Sequence, residues 1–367
     1  MRFTVSQSSL TQALAVVAKG VAGTSTLPIL SGVLIKADDG VLEFQTSNYT
    51  ISIRHRIAAH VEVPGQMVVP CKMLSNITKT LPDSSVTFEM DERQVLISCE
   101  KSQFRVNTLD ATDFPEFPAY ALESAVELPV NVLSEMVGRV WRVTSTDKAR
   151  PILSGVHMKV ENNTIRLVAT DSFRLAVCDT QVETSTLEGS FELNVPADAF
   201  NDALNIMSDQ PQILVGSTDT QVVFEAGNTT YVSRRIEGTY PNYKQLIPDS
   251  CVTSVKINVE AFNAALKRVA VIASNNPAVK FEIDVEAGTM GLSSISNDQD
   301  LAQETLDIEG QGESGTIAFN YHYIFGCLNA LAKEKEITLE LKSYSQAGVF
   351  KSYDKINYLY LVMPVRI

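Results

Sequence analysis

Pro28-Ile29-Leu30-Ser31-Gly32-Val33 returns almost letter for letter as Pro151-Ile152-Leu153-Ser154-Gly155-Val156. Eighteen residues after Pro28 stands Thr46, followed by Ser47-Asn48, and eighteen after Pro151 stands Ala169, followed by Thr170-Asp171. The same step from Pro277 leads to Ile295 and then Ser296-Asn297. A small hydroxyl residue followed by Asn or Asp can close a turn by hydrogen-bonding local backbone. Three copies in one register imply three similar domains. The period of about 120 to 125 residues is far longer than that of a solenoid repeat.

Helix and strand patterns support the division. Apolar residues at i, i+4 and i+7 predict a first helix through Leu10, Leu14 and Val17 and through Phe262, Leu266 and Val269, and Val132, Met136 and Val140 keep similar spacing in the second repeat. A second helix is predicted through Met73, Ile77 and Leu81, then Phe200, Leu204 and Met207, then Ile324, Leu328 and Leu331. Pro70 and Pro196 stand just before the second helices, where a missing amide costs least, and Asn320 takes that place as a cap in the third repeat. Val41-Leu42-Glu43-Phe44-Gln45 and Gln221-Val222-Val223-Phe224-Glu225 alternate as strands do, and Asp38-Asp39-Gly40 and Glu161-Asn162-Asn163 read as hairpin turns. Strands and helices are grouped rather than alternating, so the fold class is α+β, mainly antiparallel, with two helices per domain. Asp113-Phe114-Pro115-Glu116-Phe117-Pro118 closes the first repeat, and Thr239-Tyr240-Pro241-Asn242-Tyr243, running on to Pro248, closes the second. The expected domains are 1–122, 123–248 and 249–367. Linkers so short and so rich in aromatic residues and Pro should be tied down, holding the domains in one rigid arc.

The 367 residues suffice for two or three domains, and 45% hydrophobic with 20% charged content is that of a soluble globular protein. The chain opens directly in strand-like alternation, Met1-Arg2-Phe3-Thr4-Val5, with no signal-peptide pattern and no run approaching a membrane span. Cys71, Cys99, Cys178, Cys251 and Cys327 are odd in number, scattered and without a Cys-x-x-Cys pair. Reduced thiols in or near a core, in a cytoplasmic protein, are expected. A formal charge of −13 argues against adhesion to nucleic acid by overall basicity, yet leaves room for a local basic lining.

Five segments in order resemble the bacterial DNA polymerase III β subunit, the sliding-clamp family. They are Met1-Arg2-Phe3-Thr4-Val5, Thr26-Leu27-Pro28-Ile29-Leu30, the box from Ala169 to Ala176, Tyr240-Pro241-Asn242-Tyr243, and Met363-Pro364-Val365-Arg366-Ile367. The resemblance implies a head-to-tail homodimer whose six domains close into a ring around double-stranded DNA, with helices inside and sheets on the rim. Such closure joins two different surfaces and needs the right rotation per domain. Holding DNA is then topological, which reconciles a DNA-associated role with a charge of −13. It further implies no catalytic residue, metal or cofactor of its own. The implied partners are the replicative polymerase, the clamp loader, translesion polymerases, mismatch-repair proteins and ligase, docking through short linear motifs.

The matching positions for the partner-peptide pocket are Arg150, Leu153, Thr170, Ser172, Phe173, Arg174, Leu175, Pro241, Leu246, Ser345, Ala347, Leu361, Met363, Pro364, Val365 and Arg366. Apolar walls with a flexible Met suit a site that accepts several ligands, although Leu175, Leu361 and Val365 would equally serve a core. Ser172-Phe173 replaces the Gly-His of some relatives, which should shift peptide preference without abolishing recognition. Candidate DNA-facing cations are Lys79, Arg139, Arg142, Lys148, Arg150, Lys267 and Arg268. Gly23-Thr24-Ser25 lacks the Arg that the family often carries in that loop. Candidate seam residues are Ile77, Leu81 and Phe104 on one side, and Ile272, Asp300 and Glu304 on the other.

Other motifs mislead. Gly310-Gln311-Gly312-Glu313-Ser314-Gly315 spells a dinucleotide fingerprint, but a strand-like run follows it, so a loop between strands is expected. His55, His60, His157 and His322 have no metal-ligand spacing. A second function class stays open on the residues alone: a hydrolase or transferase using Asp171 and Arg174 in an interdomain cleft.

Overall fold

Six times among the described residues a strand runs straight into a helix. Arg2–Ser6 leads into α1 (Gln7–Val17), Gly65–Pro70 into α2 (Cys71–Thr80), and Ser124–Pro129 into α3 (Val130–Val140). Ser190–Pro196 leads into α4 (Ala197–Ile206), Thr253–Asn258 into α5 (Val259–Ile272), and Gly315–Asn320 into α6 (Tyr321–Ala330). The junction residue often supplies the missing acceptor for the first turn. The Ser9 amide donates to Ser6 Oγ, the Ala261 amide to Asn258 Oδ1, and the His322 amide to Asn320 Oδ1, at 2.9–3.2 Å. In this computed structural model the residues described are 1–23, 27–122, 124–182, 190–273, 276–294 and 301–366. The third echo, Ile295-Ser296-Asn297, lies outside them, as do Thr24, Ser25, Thr26, Asp300 and Ile367.

The repeat is legible in the packing. A constant displacement of 123 residues carries the buried Leu10, Ala13, Leu14 and Val17 of α1 onto the buried Leu133, Met136, Val137 and Val140 of α3. A displacement of 124 carries Phe200, Ala203, Leu204 and Met207 onto Ile324, Cys327, Leu328 and Leu331. Burying each Leu, Met or Phe of these stripes stabilises by roughly 1.5–3 kcal/mol, which is why sequence fixes the helix faces so firmly. One predicted stripe is out of phase and another departs at a single position. In α3 Met136 and Val140 are buried as expected, with Leu133 and Val137 beside them, and only Val132 is half-buried. In α2 the core side is Cys71, Leu74 and Thr78, leaving Met73 exposed and Ile77 half-buried, with Leu81 buried just past the helix.

The chain forms two compact units, and the middle third contributes to both. The first holds residues 1–131 and 202–235. Its five-stranded sheet runs His60–Val63, Arg2–Ser6, Ser85–Asp91, Gln94–Cys99, Ser102–Asn107. Its eight-stranded sheet runs Ser124–Pro129, Gln212–Ser217, Gln221–Ala226, Thr229–Arg234, Ile51–Ala58, Val41–Ser47, Gly32–Asp38, Gly65–Pro70. The described part of the second unit is 132–182, 190–201, 236–273, 276–294 and 301–366. Its twelve-stranded sheet begins with Ser190–Pro196, Gly155–Glu161, Thr164–Thr170 and Arg174–Gln181, which then pairs with Asn357–Val362 in the register Arg174↔Val362. All strand pairs among the described residues are antiparallel, as the α+β expectation requires. Both predicted hairpin turns have the left-handed pair that type I′ demands: Asp39 and Gly40 at φ 43° and 75°, Asn162 and Asn163 at 49° and 58°.

The repeated Pro-Ile-Leu-Ser segments are single 3-10 turns, Pro28–Ser31 and Pro151–Ser154, each closed by its Ser hydroxyl donating to the Pro carbonyl at 2.6 and 2.7 Å. The aromatic closing segments are pinned: Phe114 packs with Leu34 and Val68, and the Arg54 guanidinium lies 4.5 Å from the Phe117 ring centroid. Two readings need correction. Cys251 is exposed, unlike the other four free thiols. Gly310-Gln311-Gly312 is not loop but the end of strand Gln303–Gly312, pairing with Thr253–Val255, where Gly312 sits at φ 116° against the Val252 carbonyl. Among the described residues no helix is long and apolar enough to cross a membrane.

Candidate partner-binding site

The site grows from the Asp171 turn in the second unit. The Phe173 and Arg174 amides donate to Asp171 Oδ1 at 2.9 and 3.0 Å, and Ser172 takes the left-handed conformation at φ 80°. That geometry turns Phe173 outward, 56% exposed. It also brings Arg174 back over its own turn, where Nε donates to Asp171 Oδ2 at 2.9 Å. The rest of the guanidinium is held from three sides. Nη2 donates to the Arg142 carbonyl at 2.9 Å, Nη1 reaches the Tyr360 hydroxyl at 3.4 Å, and the plane lies 4.8 Å from the Tyr323 ring centroid. The Tyr360 hydroxyl donates in turn to the Tyr323 carbonyl at 2.9 Å. Burial alone would lower the Arg174 pKa, but the Tyr360 and Asp171 oxygens raise it above its ordinary value. Burial pushes the Tyr360 and Tyr240 phenols up, so both stay neutral. Asp171 and Arg174 thus spend their polar atoms on the turn and on its neighbours.

Beneath this turn Val168, Leu175, Val177, Tyr240, Tyr243, Val349 and Leu361 form one buried cluster, with Ile152, Ile247 and Ala347 against it. Leu175 and Leu361 are therefore the floor, buried almost completely. The corner Tyr240-Pro241 is fixed from behind: His157 stacks on Tyr240 at 4.8 Å and shares a 2.9 Å hydrogen bond with Asn194, whose amide donates to the Gly238 carbonyl at 3.0 Å. The C-terminal segment joins the rim, with the Met363 amide donating to the Phe173 carbonyl at 2.9 Å and the Val365 amide to the Ala318 carbonyl at 2.8 Å. Exposed apolar side chains surround the floor: Phe173, Leu246 at 54%, Met363 at 48%, and Val365. An apolar floor, exposed apolar rims and a fixed cation are what a short linear peptide with apolar anchors requires.

Of the other predicted pocket residues, Arg150 donates to Ser172 Oγ at 2.6 Å and to Asp147 Oδ2 at 3.0 Å, so it braces the turn. Thr170 Oγ donates to the Arg174 carbonyl at 2.7 Å and Leu153 is buried. Pro364 is half-buried, and Pro241, Ser345 and Arg366 are exposed. Sequence reasoning missed Tyr323, Tyr360 and Gly326. A Cβ at Gly326 would stand 2.9 Å from Arg174 Nη1, so the bare glycine admits the guanidinium. Gly326 follows Tyr323 by one helical turn, a pairing on one face that was readable once α6 was placed.

The candidate DNA-facing cations separate into two kinds. Arg139 is a correction: it is buried in α3, donating to Glu135 Oε1 at 2.8 Å and Glu334 Oε1 at 3.0 Å. Arg268 is at the surface but donates twice to Glu304, at 2.7 Å each, so neither is a free charge. Lys79, Arg142, Lys148 and Lys267 are exposed, Arg142 lying in a 3-10 turn rather than a helix. Among the seam candidates Phe104, Ile77 and Ile272 are half-buried, Leu81 belongs to its own core, and Val271 beside Ile272 is strongly exposed. No group of three or more metal-ligating side chains occurs among the described residues.

Sheet topology, repeat and site together define a three-repeat chain of the DNA-clamp fold. Family models of the DNA polymerase III beta subunit match it in order: the N-terminal domain at 1–118, the central domain at 127–242 and the C-terminal domain at 244–366. The beta sliding clamps of Synechococcus elongatus and Bacillus subtilis are 32% and 28% identical to it, each over 100% of both chains. The solved sliding clamp of Bacillus subtilis superposes with a TM-score of 0.93 at 29% identity, covering 100% of this chain and 99% of that one. The beta subunit of Thermotoga maritima gives 0.91 at 28% identity with the same coverage. The chain belongs to the DNA polymerase III beta subunit family.

Proposed function

We propose that this chain is a DNA sliding clamp, a ring-shaped homodimer that encircles duplex DNA and tethers the replicative polymerase to it. It has no catalytic activity of its own and works in the cytoplasm. The observation that carries the reading is the ordered match of three clamp-domain models across 1–366. In this reading the domains divide at 122/123 and 248/249. The surface over Leu175 and Leu361, rimmed by Phe173, Leu246, Met363 and Val365, receives the linear motifs of the polymerase, clamp loader, translesion polymerases, mismatch-repair proteins and ligase. The exposed Lys79, Arg142, Lys148 and Lys267 supply a weak, sequence-independent attraction to phosphate. In this reading the seam pairs Ile77 and Phe104 of one protomer with Ile272, Glu304 and Asp300 of the other. Phe104→Arg should then yield monomers in sedimentation.

The decisive experiment is topological. Loaded protein is retained on circular DNA through a salt wash and is lost when the circle is cut once. Retention that ignores linearisation would mean groove or phosphate binding and would sink the proposal.

A further inference from the structure

One junction of the repeat is built twice, and differently. In the second unit the end of α3, the stretch following α6 and the hairpin before Asn357–Val362 enclose Arg139, whose guanidinium bonds Glu135, Glu334 and the Ile356 carbonyl. The displacements that align the helices place Gln12 where Glu135 stands, Val16 where Arg139 stands, and Gln210 where Glu334 stands. The first unit thus lacks both the internal guanidinium and its two carboxylates. What it has instead is an open cavity of about 710 Å³, lined by these three residues together with His55, Ile57 and Asp209. Such a volume suits a small molecule or one long side chain.

The charge on its wall chooses between ligands. The Arg56 guanidinium beside the cavity is tied to Glu43, Nε at 2.7 Å and Nη2 at 2.6 Å, and offers little to an anion. Burial lowers the His55 pKa against the smaller opposing pull of Asp209 and so disfavours the charged ring, with Nδ1 2.8 Å from Thr229 Oγ. Asp209 makes no ion pair among the described residues and is the one uncompensated charge on the lining. Gln12 and Gln210 bring to the lining side-chain amides of the kind that can accept from a guanidinium, and Val16 and Ile57 offer apolar contact for a methylene stem.

We propose that this cavity binds a guanidinium group, an arginine side chain of another polypeptide or free arginine, taking from outside what Arg139 supplies internally in the second unit. The test uses the full chain with isoleucine methyl groups labelled for NMR. N-acetyl-arginine amide is titrated while the Ile57 and Ile206 methyl signals are followed, both residues lining the cavity. Saturable shifts are expected, with N-acetyl-citrulline amide, its neutral isostere, binding about tenfold more weakly. Asp209→Asn, at an exposed position, should weaken arginine about fivefold. Val16→Arg with Gln12→Glu and Gln210→Glu should fill the cavity and abolish the shifts. A short arginine peptide binding tighter than the amide assigns the polypeptide source, and equal binding assigns free arginine. Absence of a saturable shift, equal binding of citrulline, or indifference to Asp209→Asn overturns the proposal.

Discussion

The turn at Asn48 and the turn at Asp171 are one construction used twice. In the first, the Thr50 and Ile51 amides donate to Asn48 Oδ1 at 3.0 and 2.8 Å, and Tyr49 takes φ 67°. In the second, the Phe173 and Arg174 amides donate to Asp171 Oδ1, and Ser172 takes φ 80°. Even the strand that follows in space is fastened alike: the Arg234 amide donates to the Thr50 carbonyl as the Met363 amide does to that of Phe173. The backbone is common property. What differs is the pair of side chains that it presents, Thr50 and Ile51 against Phe173 and Arg174. The repeat supplies a rigid platform, and a site is written on it by two substitutions and one extra carboxylate oxygen, Asp171 Oδ2 on Arg174.

Several changes would break that parallel, the largest effect coming from the helices behind the turns. Arg139→Ala strips Glu334 of its buried partner and should cost about 3 kcal/mol in denaturant unfolding, whereas replacing both partners, Arg139→Met with Glu334→Leu, should recover much of it. Val16→Ala, at the matching place in the first unit, should stay below about 1 kcal/mol. Next come the turns themselves. Asn48→Ala should lose about 1 kcal/mol and Asp171→Ala about 2 kcal/mol, because only the second also releases a largely buried guanidinium. Equal losses would show that Arg174 takes no support from Asp171. Phe173→Ala should leave stability unchanged and weaken a clamp-binding peptide about tenfold, by titration calorimetry, while Thr50→Ala leaves both alone.

The smallest expected effect concerns pH. Burial holds the His55 pKa below its ordinary value, so on acidification the unfolded chain takes up this proton first. Stability from this group is complete above the ordinary histidine value of about 6.5 and drains as pH falls from there through the folded value. Cys178 occupies the matching strand position in the second unit. His55→Cys should therefore flatten the unfolding midpoint between about pH 7 and pH 5. A wild-type midpoint already flat across that range would remove the effect.

Much of this architecture could be read from the chain. Local chemistry decided it: Asp39-Gly40 and Asn162-Asn163 specify their hairpins, and Asn258 and Asn320 cap helices with their own oxygens. Where two signals compete, sequence reading went astray. In α2 the stripe through Met73 and Ile77 looks more apolar than Cys71, Leu74 and Thr78, yet the latter are buried because the Thr78 hydroxyl is satisfied by the Leu74 carbonyl one turn back. Arg139 reads as an exposed cation until Glu334 arrives from 195 residues away. The site divides the same way. The Asp171 box and the tail from Leu361 are contiguous and legible, while Tyr323, Tyr360 and Gly326 join Arg174 only through the folded sheet.

The central third lends Thr229–Arg234 to a sheet with Ile51–Ala58, and Arg174–Gln181 to a sheet with Asn357–Val362. Repetition in this protein is therefore not independence. A polypeptide stopped after residue 122 would leave the margin of Ile51–Ala58 raw, and one begun at residue 249 would do so to Asn357–Val362, each offering unpaired amides to any passing strand. Fragments cut along the repeat boundaries should stick to one another, and the molecule inherits its integrity from being read through to the end.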